Sequence, residues 1–176
     1  MNKKNLRLSF LILGFILSGC GYSTKSVLPG NLKTVHIEPF KNKVTYTGEN
    51  TRNLYLPLLE VKARNAIADR FLFDGSLRVA DSESADLILK GNLIGYDREA
   101  LRYNDNNDVQ EYRIRITVSL ELWDSAKEKT LWAEPSFAGE TTYFVSGSQA
   151  KSEDTALQDA LIDLARRVVE RTVEDW

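Results

Sequence analysis

Four arginines lie close together in the middle of the chain: Arg98, Arg102, Arg113 and Arg115. Guanidinium groups on neighbouring strands can bind phosphate oxygens bidentately, so these residues are the best candidates for an anion-binding site. The same stretch, residues 97–115, also contains five carboxylates: Asp97, Glu99, Asp105, Asp108 and Glu111. Because the acidic groups outnumber the basic ones, the sequence favours cross-strand ion pairs on a solvated face over an anion site.

The other side chains that could bind a metal or take part in a reaction do not form a catalytic pattern. Residues 105–108 carry oxygens that suit Ca²⁺, but they lack the glycine and the distal glutamate of a calcium loop, so they predict a turn. His36 is the sole histidine and has no cysteine partner for a metal site and no evident catalytic partners, so we expect a packed or strand-edge residue. No Gly-x-Ser-x-Gly motif is present. We therefore expect a binding protein that uses no metal and no cofactor.

Cys20 is the only cysteine of the chain. It follows a basic segment, residues 1–7, and an apolar run, residues 8–17, which is too short to span a membrane as a helix. This order is typical of a secretory signal peptide. The residues Leu17-Ser18-Gly19-Cys20 resemble the lipobox of bacterial lipoproteins, in which the cysteine is acylated. An ordinary signal peptide that happens to end in cysteine is the alternative.

Acylation of Cys20 would explain a single cysteine in an exported protein, because it removes a reactive free thiol. Several acyl chains on one residue anchor a protein stably, whereas one chain binds only marginally. Gly21 rather than aspartate follows the cysteine, as is typical of lipoproteins carried to the outer membrane. The sequence therefore predicts a signal peptide over residues 1–19 and a lipid anchor at Cys20, with the protein on the periplasmic side.

The composition after the signal peptide suits one globular domain. The 176-residue chain is too short for two large domains, and its 43% hydrophobic and 10% aromatic content excludes intrinsic disorder. From residue 20 onward it carries 20 basic and 25 acidic side chains, a net charge of −5, which is unsuited to nucleic acid. Residues 20–32 contain Ser, Thr, Gly and Pro without periodicity and predict a tether. Residues 33–176 are then the single domain.

Hydrophobic periodicity predicts the elements of this domain. Five segments have strand patterns: residues 33–40, 77–80, 85–103, 112–122 and 130–144. Two segments have helical spacing: residues 57–74 and 153–174. Gly91 and Gly95 predict a bend or bulge, and Pro135 is expected to bend or interrupt the last strand. Trp123 and Trp132 lie on either side of a predicted turn, so we expect them either to pack near each other or to dock on a partner.

The strand at residues 112–122 has the clearest pattern, because apolar and polar side chains alternate along its whole length. The opening strand–helix–strand predicts a parallel unit, which three longer antiparallel strands and a closing helix follow. The predicted fold class is α+β: a two-layer sandwich with two helices packed on one face of a mixed, mostly antiparallel β-sheet. The uncovered face, or a sheet edge, is then the expected binding surface.

Short segments over nearly the whole mature chain form an ordered set: Cys20-Gly21-Tyr22, Leu28-Pro29, residues 33–42, 77–80, 85–91, 122–124, 130–132 and 163–171, and Trp176. In this order they resemble the LptE family, the lipopolysaccharide-assembly lipoproteins of the Gram-negative outer membrane. The resemblance implies a domain that plugs a large LptD-like β-barrel, which inserts lipopolysaccharide into the outer leaflet. It also implies assistance in barrel assembly, binding of lipopolysaccharide, and no catalysed reaction.

The resemblance implies a ligand for the arginines, namely the phosphates of lipid A. Arg98, Arg102, Arg113 and Arg115 are then candidate lipopolysaccharide-binding residues, and Lys127 and Lys129 in a hairpin tip are weaker ones. Two other functions stay open. One is a lipoprotein of similar shape that serves a secretion pore or a peptidoglycan synthase. The other is a lipid-tethered periplasmic enzyme, for which the sequence offers no nucleophile, base or metal set.

Overall fold

The computed structural model describes residues 32–44 and 56–173. The predicted signal peptide, Cys20, the tether up to residue 31, and Trp176 lie outside the described residues. Within them the chain forms six strands and two helices, in this order: β1 (Thr34–Ile37), β2 (Lys41–Asn42), α1 (Leu59–Asp74), β3 (Arg78–Val79), β4 (Leu87–Tyr103), β5 (Val109–Asp124), β6 (Lys129–Phe144) and α2 (Glu153–Val173).

The six strands form one mixed sheet in the order β3-β1-β4-β5-β6, with β2 paired to β4. Strand β1 runs parallel to β3 and β4, whereas β4, β5 and β6 are antiparallel neighbours. Both helices pack against the sheet and against each other. The predicted α+β fold with a mixed, mostly antiparallel sheet is therefore confirmed.

The core lies between the helices and one face of the sheet. On β5, every second residue from Ile114 to Leu122 is buried, and the residues between them are partly or fully exposed. The apolar stripe of α2 is buried as its spacing predicts. Its N-terminus is capped by Ser152, whose hydroxyl accepts the Thr155 backbone N–H at 3.1 Å.

The sequence predicts irregularities at three positions of the sheet: Gly91, Gly95 and Pro135. Gly95 lies at a register shift between β4 and β5, which confirms the predicted bulge there. Gly91 pairs regularly with Leu120, so the predicted bend or bulge at Gly91 is wrong. Glycine is needed there for a different reason, because a Cβ would lie 2.8 Å from Cδ1 of Phe40. Pro135 is accommodated in a register shift of the edge strand β6, which continues through it to Phe144.

The first predicted strand is shorter than its pattern. It ends at Ile37, and the chain pairs with the sheet again at the two residues of β2, which lie outside the predicted strands. The first helix begins at Leu59 rather than at Pro57, because a turn with Leu58 in a left-handed conformation precedes it. Both differences fall at element ends, where local pattern is weakest.

Candidate functional site

The candidate arginines lie on two different faces of the sheet. Arg98 on β4 stands directly opposite Ile114 on β5, and cross-strand partners share a face, so Arg98 belongs to the helix-covered side. Arg113 and Arg115 flank Ile114 along β5 and therefore lie on the open face. The structure thus brings Arg113 and Arg115 together and separates Arg98 from them.

Three of the four arginines have carboxylate partners on adjacent strands. The nitrogen–oxygen distances are 3.5 Å for Arg102–Glu111, 3.7 Å for Arg113–Glu99 and 3.0 Å for Arg115–Glu140. The side chains of Arg102 and Arg115 are 61% and 45% exposed, so these ion pairs contribute little to stability. An incoming anion would compete with the carboxylates at a small energetic cost, so binding of phosphate by these arginines stays a prediction.

Arg98 belongs instead to a polar cluster at the N-terminus of α2. Its guanidinium group forms an ion pair with Glu153, and it lies 4.7 Å from the ring centroid of Tyr112. The Tyr96 hydroxyl donates to the other Glu153 oxygen at 3.1 Å. The Tyr112 ring in turn stacks on Tyr143, with the ring centroids 5.8 Å apart. These contacts attach the first turn of α2 to the sheet.

The electrostatics of this cluster keep its hydrogen bonds in place at neutral pH. Burial, followed by the nearby Glu153 carboxylate, raises the pKa of the Tyr96 hydroxyl, so it remains a protonated donor. Burial opposes the charge of Arg98, but the Glu153 carboxylate holds the pKa of Arg98 above its ordinary value. The sequence shows Glu153 only as a favourable residue at a helix N-terminus. Its pairing with Arg98 joins residues 55 positions apart, and no local pattern predicts it.

The open face carries further polar pairs between strands. The Asn92 amide donates to the Ser119 hydroxyl at 3.1 Å, and the Thr130 hydroxyl donates to Glu121 at 2.7 Å. The Lys90 ammonium lies 4.8 Å from the ring centroid of Trp123. Together with the arginine pairs, these contacts make a polar surface over β4, β5 and β6.

The two hairpin tryptophans lie on opposite faces of the sheet, so the prediction that they pack near each other is wrong, whereas docking on a partner stays a prediction. Trp132 pairs with the buried Leu122, on the helix-covered side, and the Arg171 guanidinium lies 5.2 Å from its ring centroid. Trp123, one residue after Leu122, lies on the opposite face. A register shift between Leu122 and Trp123 pairs Trp123 with Thr130 instead.

Two acidic side chains hold the ends of strands. Asp86 accepts the Lys33 and Thr34 backbone N–H groups at 2.8 and 3.0 Å and the Thr34 hydroxyl at 2.8 Å. The Lys33 backbone bond is the main cause that lowers the pKa of Asp86. Asp124, the last residue of β5, is fully buried. Burial alone would raise its pKa, but hydrogen bonds and the Lys127 ammonium at 3.3 Å lower it overall. Lys127, a weak ligand candidate, is therefore already paired.

The remaining candidates have structural roles. Residues 104–108 form the β4–β5 turn, in which the Asn104 side-chain oxygen accepts the backbone N–H groups of Asn106 and Asp108, and this confirms the predicted turn. His36 Nδ1 lies 3.0 Å from the Ala80 carbonyl oxygen. Among the described residues, no group of three His, Cys, Asp or Glu side chains is placed to hold a metal ion. Neither α1 nor α2 has the length and apolar content of a membrane-spanning helix.

Comparison with known families gives one match over most of the chain. The family model described as "LptE: Lipopolysaccharide-assembly" matches residues 32–172, which include nearly all of the described domain. No curated protein is significantly similar to the chain.

Several solved structures share the fold at low sequence identity. A protein from Xanthomonas campestris has a TM-score of 0.56 at 13% identity, covering 84% of this chain and 88% of that one. An uncharacterized lipoprotein B from Nitrosomonas europaea has a TM-score of 0.52 at 14% identity, covering 83% and 88%. A PelC dodecamer from Paraburkholderia phytofirmans has a TM-score of 0.50 at 15% identity, covering 85% and 96%. At such identities the similarity establishes the fold alone.

Proposed function

The chain belongs to the LptE family of lipopolysaccharide-assembly proteins, and from this premise we propose that it is an outer-membrane lipoprotein that assists assembly of an LptD-like β-barrel and plugs it. The barrel inserts lipopolysaccharide into the outer leaflet. We propose no catalytic step for this chain. The family match over residues 32–172 is the observation that carries the proposal.

The open face of the sheet supports a plug role on physical grounds. The lumen of a membrane β-barrel is polar, whereas its outer surface is apolar. A domain that occupies a lumen therefore needs a polar surface. The open face has this character, with cross-strand contacts such as Arg113–Glu99, Arg115–Glu140 and Asn92–Ser119.

Attachment to the membrane is the second part of the proposal. Residues 1–19 would be removed as a signal peptide, and Cys20 would carry the acyl chains that hold the protein on the periplasmic side of the outer membrane. The domain beginning at residue 33 would follow a tether of about a dozen residues, which reaches roughly 40 Å when fully extended.

A pull-down of the lipidated protein from its own host tests the assembly role. After extraction in a gentle detergent, we expect a large partner band whose mobility changes on heating, as folded β-barrels do. The matched control is Cys20→Ala, which should stay an unprocessed precursor and recover no barrel from the outer membrane. A soluble periplasmic or cell-wall partner in place of the barrel would contradict the plug role. Normal processing of the Cys20→Ala protein would contradict lipid attachment.

Lipopolysaccharide binding gives a separate test on the open face. Reversing both charges with Arg113→Glu and Arg115→Glu removes two candidate phosphate donors, and charge-assisted hydrogen bonds of this kind are strong. We expect affinity for lipopolysaccharide, measured by titration of the purified protein, to fall by at least about tenfold. The control is Arg166→Glu on α2, because Arg166 is as exposed as Arg115, at 45%.

Folding of the arginine variants must be checked by thermal melting, since the ion pairs with Glu99 and Glu140 are also lost. Unchanged binding by a folded double variant would contradict the ligand role. The two arginines would then serve only as cross-strand ion pairs.

A further inference from the structure

The last turn of α1 exposes two large apolar side chains side by side. Leu72 is 65% exposed and Phe73 is 80% exposed. The Arg70 guanidinium lies 5.3 Å from the ring centroid of Phe73. Single exposed apolar residues are ordinary on protein surfaces, but an adjacent leucine and phenylalanine beside an arginine make an amphipathic tip. We call these three residues the α1 tip.

The α1 tip lies at the end of the domain where the N-terminal chain enters. Gly75, with a φ of 77°, ends the helix, and the chain reaches β3 three residues later. The Arg78 backbone N–H then donates to the Lys33 carbonyl at 2.9 Å, beside the first residue of β1. Phe73 is five residues from Arg78, so the two lie within about 18 Å of each other.

Hydrogen bonds to Asp86 fix the position of the chain where it enters β1. Asp86 accepts both the Lys33 and the Thr34 backbone N–H groups. Leu32, the first described residue, is only 5% exposed and belongs to the same core as Phe71 and Leu77. Leu32 and Lys33, the first described residues, therefore lie at the end of the domain where α1 finishes.

The chain outside the described domain limits what the α1 tip can meet. Eleven residues lie between Cys20 and Leu32, a reach of at most about 40 Å. If Cys20 is acylated, the membrane is always within that distance of this end. Two side chains also expose far less area than the roughly 800 Å² that each partner contributes to a specific protein interface. A lipid surface suits the α1 tip better than a protein does.

We propose that the α1 tip inserts into the lipid surface in the free lipoprotein and seats the domain on the membrane by this end. The Phe73 ring and the Leu72 side chain would lie at the acyl boundary, with the Arg70 guanidinium at the level of the phosphates. This proposal rests on the proposed function only through acylation of Cys20 and is independent of any barrel partner.

Insertion of the α1 tip would set the orientation of the whole domain on the membrane. Strand β4 begins at Leu87, which pairs with Val35 beside the entry point, and runs for 17 residues to Tyr103. At about 3.3 Å per residue, its far end lies at most roughly 50 Å from its start. The β4–β5 turn would therefore project away from the membrane.

The test uses a fluorescent label at Ser76→Cys, an exposed site close to the α1 tip. Cys20 is the only native cysteine, so in the acylated mature protein the new thiol is the only one available. The protein is reconstituted in phosphatidylethanolamine–phosphatidylglycerol vesicles that contain nitroxide-labelled lipid. The matched control is a label at Tyr103→Cys, a site 53% exposed at the far end of β4.

We expect several-fold stronger quenching at position 76 than at position 103. Adding Leu72→Ser and Phe73→Ser, both on exposed positions that the core does not use, should reduce quenching at position 76 to the level of position 103. Asp69 and Asp74 flank the apolar pair, so the contact should depend on apolar area and persist in high salt.

Different results would contradict different parts of the proposal. Equal quenching at both positions in vesicle-bound protein would overturn the seating and leave acylation intact. Strong quenching that the two serine substitutions do not change would overturn the role of Leu72 and Phe73. Protein that does not float with the vesicles would overturn both acylation of Cys20 and the seating. A barrel partner recovered in the pull-down bears only on the assembly role.

Discussion

We expect Ile116→Asp to unfold the domain. Ile116 is completely buried at the centre of β5, where it pairs with Tyr96 on β4 and Gly139 on β6. Neither cross-strand partner carries a positive charge, so a carboxylate placed there would lose its hydration without gaining an ion pair from them, which costs several kcal/mol. The total stability of a domain of this size is only about 5–15 kcal/mol, so one such substitution removes most or all of it.

The measurement is a circular-dichroism melt of the purified domain, in which the cooperative transition should disappear or shift down by tens of degrees. The control is Thr117→Asp, one residue along the same strand on the open face, where the new carboxylate stays hydrated. That variant should melt within a few degrees of wild type. If Ile116→Asp melts like wild type and Thr117→Asp does not, the two faces of β5 are assigned the wrong way round.

The faces of β5 could be predicted because the required information is local. Burial of one face of a sheet imposes a period of two on a single strand, and the strand at residues 112–122 shows that period without interruption. The stripe of α2 is predictable for the same reason, with a period near 3.6 residues. Each pattern is contained in about twenty residues and reports directly on which side chains meet the core.

Contacts between distant elements could not be predicted in this way. The Arg98–Glu153 pair depends on the position of the first turn of α2 relative to β4 in the folded domain. The register of β6 against β5 places Trp132 on the face opposite to that of Trp123. A one-residue shift of β6 is enough to reverse such an assignment. Of the four candidate arginines, the sequence could place Arg113 and Arg115 on one face, because they share one strand and differ by two positions.

Gly139 is the least predictable of these contacts, because a glycine in a strand reveals nothing about what approaches it. Here the approaching group is the backbone of α2: a Cβ on Gly139 would lie 2.5 Å from Cα of Leu164. On either side of this point, α2 contacts the outer edge of β6. Asp163 accepts the Glu140 backbone N–H at 3.1 Å, and Arg167 donates to the Ala138 carbonyl.

Gly139→Ala should therefore destabilise the domain by about 2–3 kcal/mol, because a helix backbone cannot rotate away as a flexible side chain can. For a domain of this size, that corresponds to a fall in Tm of roughly 5–10 °C. The matched control is Gly95→Ala, where the new Cβ would meet the Thr117 side chain at 3.3 Å and the effect should be much smaller.

The same substitution should also increase aggregation, for a reason that lies in the edge of the sheet. Unpaired backbone groups on an edge strand can pair with another chain, and proteins commonly cover or block them. On β6, Asp163 and Arg167 block the edge next to Gly139, and they can do so only while α2 stays close. A displaced helix would leave these groups open, so light scattering at 37 °C should rise for Gly139→Ala before global unfolding begins. Scattering that rises only together with unfolding would mean that the edge is protected by other means.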